Sequence, residues 1–247
     1  YYSIGTCILR FTRPNNDILM SGTQMKPVSV ILPTREWTDA CDELAAQTMS
    51  SDEFLIVCDR SEDPVVEAAE SPATVMVAGE PEGCSAKCNA LAAGLERATH
   101  DRFVCTDADF EHGDEWLDTV RKRLTRVPSG HVLSTGPVLV SEGTLGKMLE
   151  PSSVVGVATS VRLNAGVWGG TMAFRRDDID LTRFIADLQQ TVGDDALLAE
   201  RADGIEVARS LVRDLPVDGT FKGTLARRVR WTRMGLYLDQ AGIMFRV

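Results

Sequence analysis

Two aspartates one residue apart close a short apolar run in Phe103-Val-Cys-Thr-Asp-Ala-Asp109. Side chains at i and i+2 of a strand share a face, so Asp107 and Asp109 can converge on one hard cation at the strand's end. Few oxygen ligands suit Mg²⁺ or Mn²⁺, which keep coordination positions open for a substrate's phosphates. A solvated Asp-rich turn has the same local pattern, because aspartate favours turns through hydrogen bonds to nearby backbone. Context must decide between the two.

Other residues have chemistry of the same kind. Asp59 follows Phe54-Leu-Ile-Val-Cys58, where a terminal carboxylate can accept hydrogen bonds from a nucleobase or ribose or can cap the next helix; Asp63 suits the cap. Glu82-Gly-Cys-Ser-Ala-Lys-Cys-Asn89 opens a helix with glycine, serine and lysine, placing backbone N–H groups and Lys87 where a phosphate could lie. An ordinary helix start has Ser85 as N-cap and Lys87 on the surface. In Asp194-Asp195 one acid is expected to cap a helix, by default Asp194, and the other to stand in its first turn. There Asp195 could take a proton from an acceptor hydroxyl, and the helix dipole would keep it ionised and weakly basic.

Arg227-Arg-Val-Arg-Trp231 has spacings of three and four, which put Arg227, Arg230 and Trp231 on one helix face, able to clamp a phosphate and stack on a ring. The same helix could lie on an anionic lipid surface or face water. Trp168 beside Gly169-Gly170 suits one wall of a sugar pocket, though a core tryptophan is the commoner outcome. Of His100, His112 and His131, only His112 lies near enough to Asp109 in sequence to be weighed as a ligand.

These residues need a scaffold. Val28 to Pro33, Phe54 to Cys58, Thr74 to Ala78 and the run ending at Asp107 read as buried strands. They alternate with helical stretches at 37–48, 64–70 and 85–98. That rhythm predicts an α/β fold with a mostly parallel sheet, and ligands in such sheets gather beyond the carboxyl ends of the strands. Past Asp109 the pattern loosens: a helix over 114–126, an apolar segment 131–140 and a Gly/Ser-rich region ending at Asn164. A strand over 169–174 follows, then helices over 194–202 and 224–237.

With 247 residues and 44% hydrophobic content, one large α/β domain is expected. The net charge of −10 and the lack of a basic stripe exclude nucleic acid as a partner. Six cysteines without a CxxC pair exclude a zinc ribbon and read as small buried hydrophobes of a reducing compartment. No apolar run approaches the roughly 20 residues of a membrane span. No secretory pattern is visible, and Tyr1 reads as a cut end.

Together these motifs resemble the A-type glycosyltransferases of family 2, and within them most closely the ceramide glucosyltransferase branch. The likeness rests on Asp59, Asp107-Ala-Asp109, Asp194-Asp195 and Arg227-Arg-Val-Arg-Trp231, which match in order the branch's four acidic and (Q/R)xxRW elements. Val28-Ser-Val-Ile-Leu-Pro33, Gly83-Cys-Ser-Ala-Lys-Cys-Asn-Ala-Leu91 and Gly169-Gly-Thr-Met-Ala-Phe-Arg-Arg176 resemble the family's opening strand, donor loop and acceptor-side strand. The chain departs from the branch in having Asp-Asp for Glu-Asp and no flanking membrane helices.

The resemblance implies a Rossmann-like single catalytic domain over 28–238, with a nucleotide-sugar half over 28–110 and an acceptor half over 111–238. Residues 1–27 would form an extension and 239–247 a tail. It further implies inverting transfer of a hexose from a nucleoside diphosphate sugar, most often a UDP-sugar, to a hydroxyl, with a lipid acceptor favoured. Asp107 and Asp109 would hold Mg²⁺ or Mn²⁺, and Asp195 would act as base with Arg230 and Trp231 beside it. Asp59, Lys87, Asp107, Trp168, Gly170, Asp194 and Arg227 would contact substrate. The expected location is cytoplasmic, at the inner face of a membrane where the basic helix meets lipid. A sugar-phosphate nucleotidylyltransferase shares this plan but would want a glycine-rich loop after the first strand, where Pro33-Thr-Arg-Glu-Trp37 has none. A non-catalytic nucleotide-sugar or cation-binding module is the other alternative.

Overall fold

A computed structural model describes residues 25–141 and 166–240, the last three of these for backbone alone. The extension before residue 25, Cys7 within it, the Gly/Ser-rich region 142–165 and the tail from 241 lie outside the described residues.

Short β-branched and apolar runs form the centre of a seven-stranded sheet. They are β1 (Ser29–Pro33), β2 (Glu53–Cys58), β3 (Ala73–Val77) and β4 (Arg102–Thr106), joined by β5 (His131–Ser134), β7 (Thr171–Arg175) and β8 (Gly204–Val207). The strand order is β3-β2-β1-β4-β7-β5-β8. Among the described strands of this sheet only β7 runs antiparallel to its neighbours. A second, two-stranded parallel sheet pairs β6 (Pro137–Ser141) with β9 (Arg213–Val217). The sheet is thus mixed and mostly parallel, as the alternating rhythm predicts.

Helices cover both faces, which is why the central strands are apolar on both sides. Val30 and Leu32 of β1 pack with Cys41 and Leu44 of α1 (Asp39–Gln47) and with Trp116, Leu117 and Val120 of α4 (Trp116–Leu124). Ile31, between them in sequence, points the other way, toward Leu91 and Leu95 of α3 (Ala86–Arg97). That side also holds α5 (Leu181–Leu188) and α6 (Asp194–Arg201). The short α2 (Pro64–Ala68) follows β2, and α7 (Phe221–Gln240) follows β9.

One buried ion pair anchors the start of this core. Asp52 and Arg121 pair with almost no exposure, and the Asp52 carboxylate also accepts from Val28 N at 3.0 Å and Met49 N at 2.7 Å. The extra bonds saturate its oxygens, the condition under which a buried charge is tolerated.

Gly94 sets how closely α3 approaches the sheet: a Cβ there would lie 2.6 Å from Ile31 Cγ2 and 3.3 Å from Val57 Cγ2. Gly94→Ala is therefore expected to lower stability by about 1–3 kcal/mol through overpacking, despite alanine's better helix propensity. Urea unfolding at fixed m-value measures it, and a stabilised variant would refute the close-packing account.

The sequence pattern misses three elements and merges two. Helix α5 and strands β8 and β9 have no counterpart in it, and the segment 131–140 is two strands, β5 and β6, belonging to different sheets. The break falls at Thr135-Gly136, with the Thr135 hydroxyl bonded to Ala208 O at 3.0 Å.

Candidate active site

The sheet delivers its chemistry to one rim. Parallel strands β1, β2 and β4 end at Pro33, Cys58 and Thr106, so the residues that follow, Thr34-Arg35, Asp59 and Asp107, emerge on the same side. Because β7 is antiparallel to β4, with Thr171 opposite Thr106, its entry loop Trp168-Gly169-Gly170 reaches that rim from the opposite direction. A backbone bond from Ser85 N to Thr191 O, 3.0 Å long, ties the start of α3 to the loop before α6. Lys87 and the Asp194-Asp195 pair thereby join the rim.

These elements enclose a cavity of about 1460 Å³. Asp59, Lys87, Asp107, Asp109, Trp168, Asp194, Asp195, Arg230 and Trp231 all line it. Ordinary small-molecule sites run to roughly 300–1,000 Å³, so this one has room for two substrates.

Its electrostatic centre is Lys87. The ammonium lies 2.7 Å from Asp107 Oδ1 and 2.9 Å from Asp194 Oδ2. Burial alone would push Lys87 down, but Asp194 and then Asp107 outweigh it and raise it above the usual lysine range. Asp107 is itself raised, because burial and the nearby Asp194 together exceed the help it receives from Lys87. Among the described residues Asp194 Oδ2 has no aligned hydrogen bond besides this ion-pair contact.

Neither acid of the pair caps α6, contrary to the sequence expectation. Gly193 is the N-cap; Asp194 turns inward to Lys87, and Asp195 Oδ1 accepts from the adjacent Ala196 N at 2.8 Å. Nor does the helix terminus keep Asp195 strongly acidic. Burial first, then the charge of Asp194, pushes its carboxyl up to about 6.

At the end of the rim beside β2, Asp63 occupies the N-cap position of α2 and accepts from Asp59 N at 3.0 Å, Arg60 N at 2.9 Å and Arg35 Nε at 3.0 Å. These bonds lower its pKa and brace the turn that presents Asp59. Asp59 is raised by burial, with Arg35 at 3.8 Å opposing. Arg35 had no functional reading in the sequence, although it follows β1 as Asp59 follows β2.

Three placements differ from the sequence reading. Arg227 is not on the cavity wall: its guanidinium donates to Asp218 O at 3.3 Å, and Arg228 takes the expected position beside Arg230 and Trp231. Gly170 lies beneath Trp168, where a Cβ would come within 2.3 Å of the indole; the glycine on the cavity is Gly169. His112 is no ligand. It is fully buried, with Nε2 2.8 Å from Thr106 Oγ1, whose hydroxyl donates to Gly170 O at 2.7 Å. That direction makes Nε2 the protonated nitrogen and leaves Nδ1, 3.7 Å from Glu43 Oε2, without a hydrogen bond among the described residues. Burial, helped by Arg213, pushes the ring down to about 3. His112 thus props the acidic turn from behind, stacked on Phe110, whose ring meets Trp168 at 4.9 Å.

Among the described residues no group of three or more His, Cys, Asp or Glu side chains could cage a metal. Lys87 takes Asp107 Oδ1, which leaves Asp107 Oδ2 and the exposed Asp109 as free oxygens. Two such carboxylates fit a hard cation that draws its remaining ligands from water and phosphate, and do not fit a zinc site. Ser85 is the N-cap of α3, accepting from Cys88 N at 3.2 Å, as its ordinary reading had it. Cys41, Cys58, Cys88 and Cys105 are buried thiols and Cys84 is half-buried.

The model of Glycosyl transferase family 21 matches residues 23–246, a glycosyltransferase family as the motifs suggested, under a different number. Among solved structures, the chain is similar to the mannosyltransferase PcManGT from Pyrobaculum calidifontis, solved in complex with GDP-Man and Mn2+. Identity is 20% and the TM-score 0.61, covering 87% of this chain and 64% of that one. It is also similar to S. aureus TarS 1-349 in complex with UDP-GlcNAc, with 17% identity and a TM-score of 0.51, over 77% of this chain and 58% of that one. The chain therefore spans less than two thirds of either, and the likeness is one of fold. A search of curated proteins finds no match.

Proposed function

We propose, because the chain belongs to glycosyl transferase family 21, that it moves a hexose from a nucleoside diphosphate sugar to an acceptor hydroxyl with inversion at the anomeric carbon. The observation that carries this reading is that carboxylates remote in sequence, Asp59, Asp107, Asp109 and Asp195, line one cavity with Arg230 and Trp231. Residues 28–238 would form the catalytic domain, the donor half ending near 110. A UDP-sugar donor and the ceramide glucosyltransferase branch are the finer assignments, supported by the order of the acidic elements and the closing Arg-x-x-Arg-Trp.

Each side chain has a task. Asp59, braced by Asp63 and Arg35, accepts from the nucleoside. Asp195 takes the proton of the acceptor hydroxyl while its oxygen attacks the anomeric carbon from the face opposite the diphosphate. The bond to the diphosphate oxygen breaks, and the electron pair leaves with the nucleotide. Arg230 and Arg228 set fixed positive charge beside that leaving group, and Trp231 and Trp168 offer ring faces to the sugar and base. Asp107 and Asp109 would hold Mg²⁺ or Mn²⁺, which supplies Lewis-acid neutralisation of the developing phosphate charge.

Incubation with a panel of UDP- and GDP-sugars in Mg²⁺ or Mn²⁺, scored for free nucleoside diphosphate, glycosylated product and melting shift, tests the reading. Turnover with one donor is the expected result. Binding without release of nucleotide would instead make the chain a sensing module.

A lipid acceptor has support from α7. Phe221, Leu225, Val229 and Leu236 are exposed at spacings of four and seven, and so form one stripe. The helix carries Lys222, Arg227, Arg228, Arg230 and Arg233 with no acid before Asp239, in a chain of net charge −10. No described helix is long and apolar enough to cross a membrane. A peripheral contact, apolar stripe in the interface and basic side chains at the headgroups, fits this composition. Leu225→Glu with Val229→Glu is expected to cut binding to vesicles containing phosphatidylserine about tenfold in a flotation assay. Wild-type binding indifferent to anionic lipid would contradict it.

A further inference from the structure

The geometry points to Lys87 as an internal counter-ion that holds the place of the divalent cation at Asp107 and yields it when a diphosphate arrives. This rests on the reading of Asp107 and Asp109 as the cation site. The ammonium is not a roaming surface charge. It bridges Asp107 Oδ1 at 2.7 Å and Asp194 Oδ2 at 2.9 Å, so it joins the metal-binding turn to the acid pair on α6.

Its base is fixed as well. Lys87 stands in the first turn of α3, whose N-cap Ser85 is bonded through its own N–H to Thr191 O at 3.0 Å, next to the α6 start. The third side is closed by Gly169, where a Cβ would lie 2.5 Å from Nζ and 3.2 Å from Asp194 Oδ2. A side chain there would push the ammonium, the far end of a flexible stem, away from its present place.

An ammonium and a divalent cation on one carboxylate repel each other, more strongly the less water separates them. While Lys87 holds Asp107, the donor-free protein should bind divalent cation weakly. A bound diphosphate offers the ammonium a new anionic partner within reach of a four-carbon stem, and releases Asp107 to the cation. Nucleotide and metal then bind cooperatively, with Lys87 as the coupling residue, and by linkage each must tighten the other by the same factor. In this role Lys87 sets when the cation can bind instead of acting only as a phosphate ligand.

Calorimetric titration of Mn²⁺ with and without UDP, on the wild type, Lys87→Met, Gly169→Ala and Asp109→Asn, tests this. UDP should tighten Mn²⁺ binding to the wild type about tenfold or more. Lys87→Met should bind Mn²⁺ without UDP about tenfold more tightly than the wild type, lose most of the UDP dependence, and turn over more slowly. A merely structural lysine would give the opposite sign, since a loosened site binds metal less well. Should Lys87→Met not fold, Gly169→Ala keeps the lysine but crowds its ammonium, and the same tightening is expected. Mn²⁺ affinity equal to or below wild type in the folded variants overturns the counter-ion role. Asp109→Asn separates the two readings: if it binds Mn²⁺ as the wild type does, the metal site itself is misassigned; if it loses Mn²⁺ while Lys87→Met gains nothing, only the role of Lys87 fails.

Discussion

Asp195→Asn should lower turnover by about 10²–10⁴-fold, the usual contribution of a general base, while leaving nucleotide binding in place. The amide is nearly the same shape but cannot accept the hydroxyl proton. The pH profile gives a second, independent reading. With its carboxyl pushed up to about 6 by burial and Asp194, Asp195 is protonated and idle in acid. In the native protein kcat/KM should therefore fall about tenfold per pH unit below about 6, and the variant should lack that limb.

Stability moves the other way. A carboxyl raised on folding favours the native state below its unfolded value near 3.9, and that contribution is lost as pH rises through about 6. Above that pH the ionised group is a cost of the folded state, so Asp195→Asn should melt at or above the native temperature at pH 7–8. A variant that keeps transfer, or one that loses transfer only by unfolding, would remove Asp195 from the mechanism.

This ionisation could not be read from the sequence. Two acids at the start of a helix suggest a capping residue and a strongly acidic neighbour, and both inferences depend on the helix end facing water. The tertiary fold instead turns Asp194 inward to Lys87, makes Gly193 the N-cap and leaves Asp195 half-buried beside the Asp194 charge. The positions of Asp59 and Asp107 were legible for the converse reason. They end continuous apolar runs of parallel strands, and strand direction alone sends both to one rim.

Elements outside the parallel core were harder to see. Strand β9, Arg213-Asp-Leu-Pro-Val217, contains two charges and a proline, and among the described residues pairs only with β6, in the two-stranded sheet. Nothing in Thr171-Met-Ala-Phe-Arg175 says that β7 runs against its neighbours, yet that direction is what brings Trp168 and Gly169 to Asp107. On α7 the helical spacing put Arg227 with Arg230 and Trp231, but which side chains face the cavity is set by how the helix docks. Arg228, Arg230, Trp231 and Met234 line the wall, and Arg227 bonds to the turn at Asp218.

Replacing Asp109 by asparagine should have the second large effect and is the cleaner test of the metal site. Asp107→Asn would also break the contact with Lys87 and so disturb the cavity's charge balance. Asp109 is exposed, and its carboxylate makes no hydrogen bond or ion pair among the described residues, so its loss should leave stability within about 0.5 kcal/mol. The substitution removes one of two anionic oxygen donors from the place where the diphosphate's charge develops. Lewis-acid stabilisation there is worth several kcal/mol, on the order of 10²–10³-fold in rate. Turnover should fall by that factor, and UDP binding should become insensitive to Mg²⁺ and Mn²⁺. Part of the activity should return at metal concentrations well above those that saturate the native protein. If Asp109→Asn keeps both its rate and its dependence on divalent cation, the Asp-Ala-Asp turn is the solvated turn that its local sequence also describes, and the cation, if one is needed, is held elsewhere.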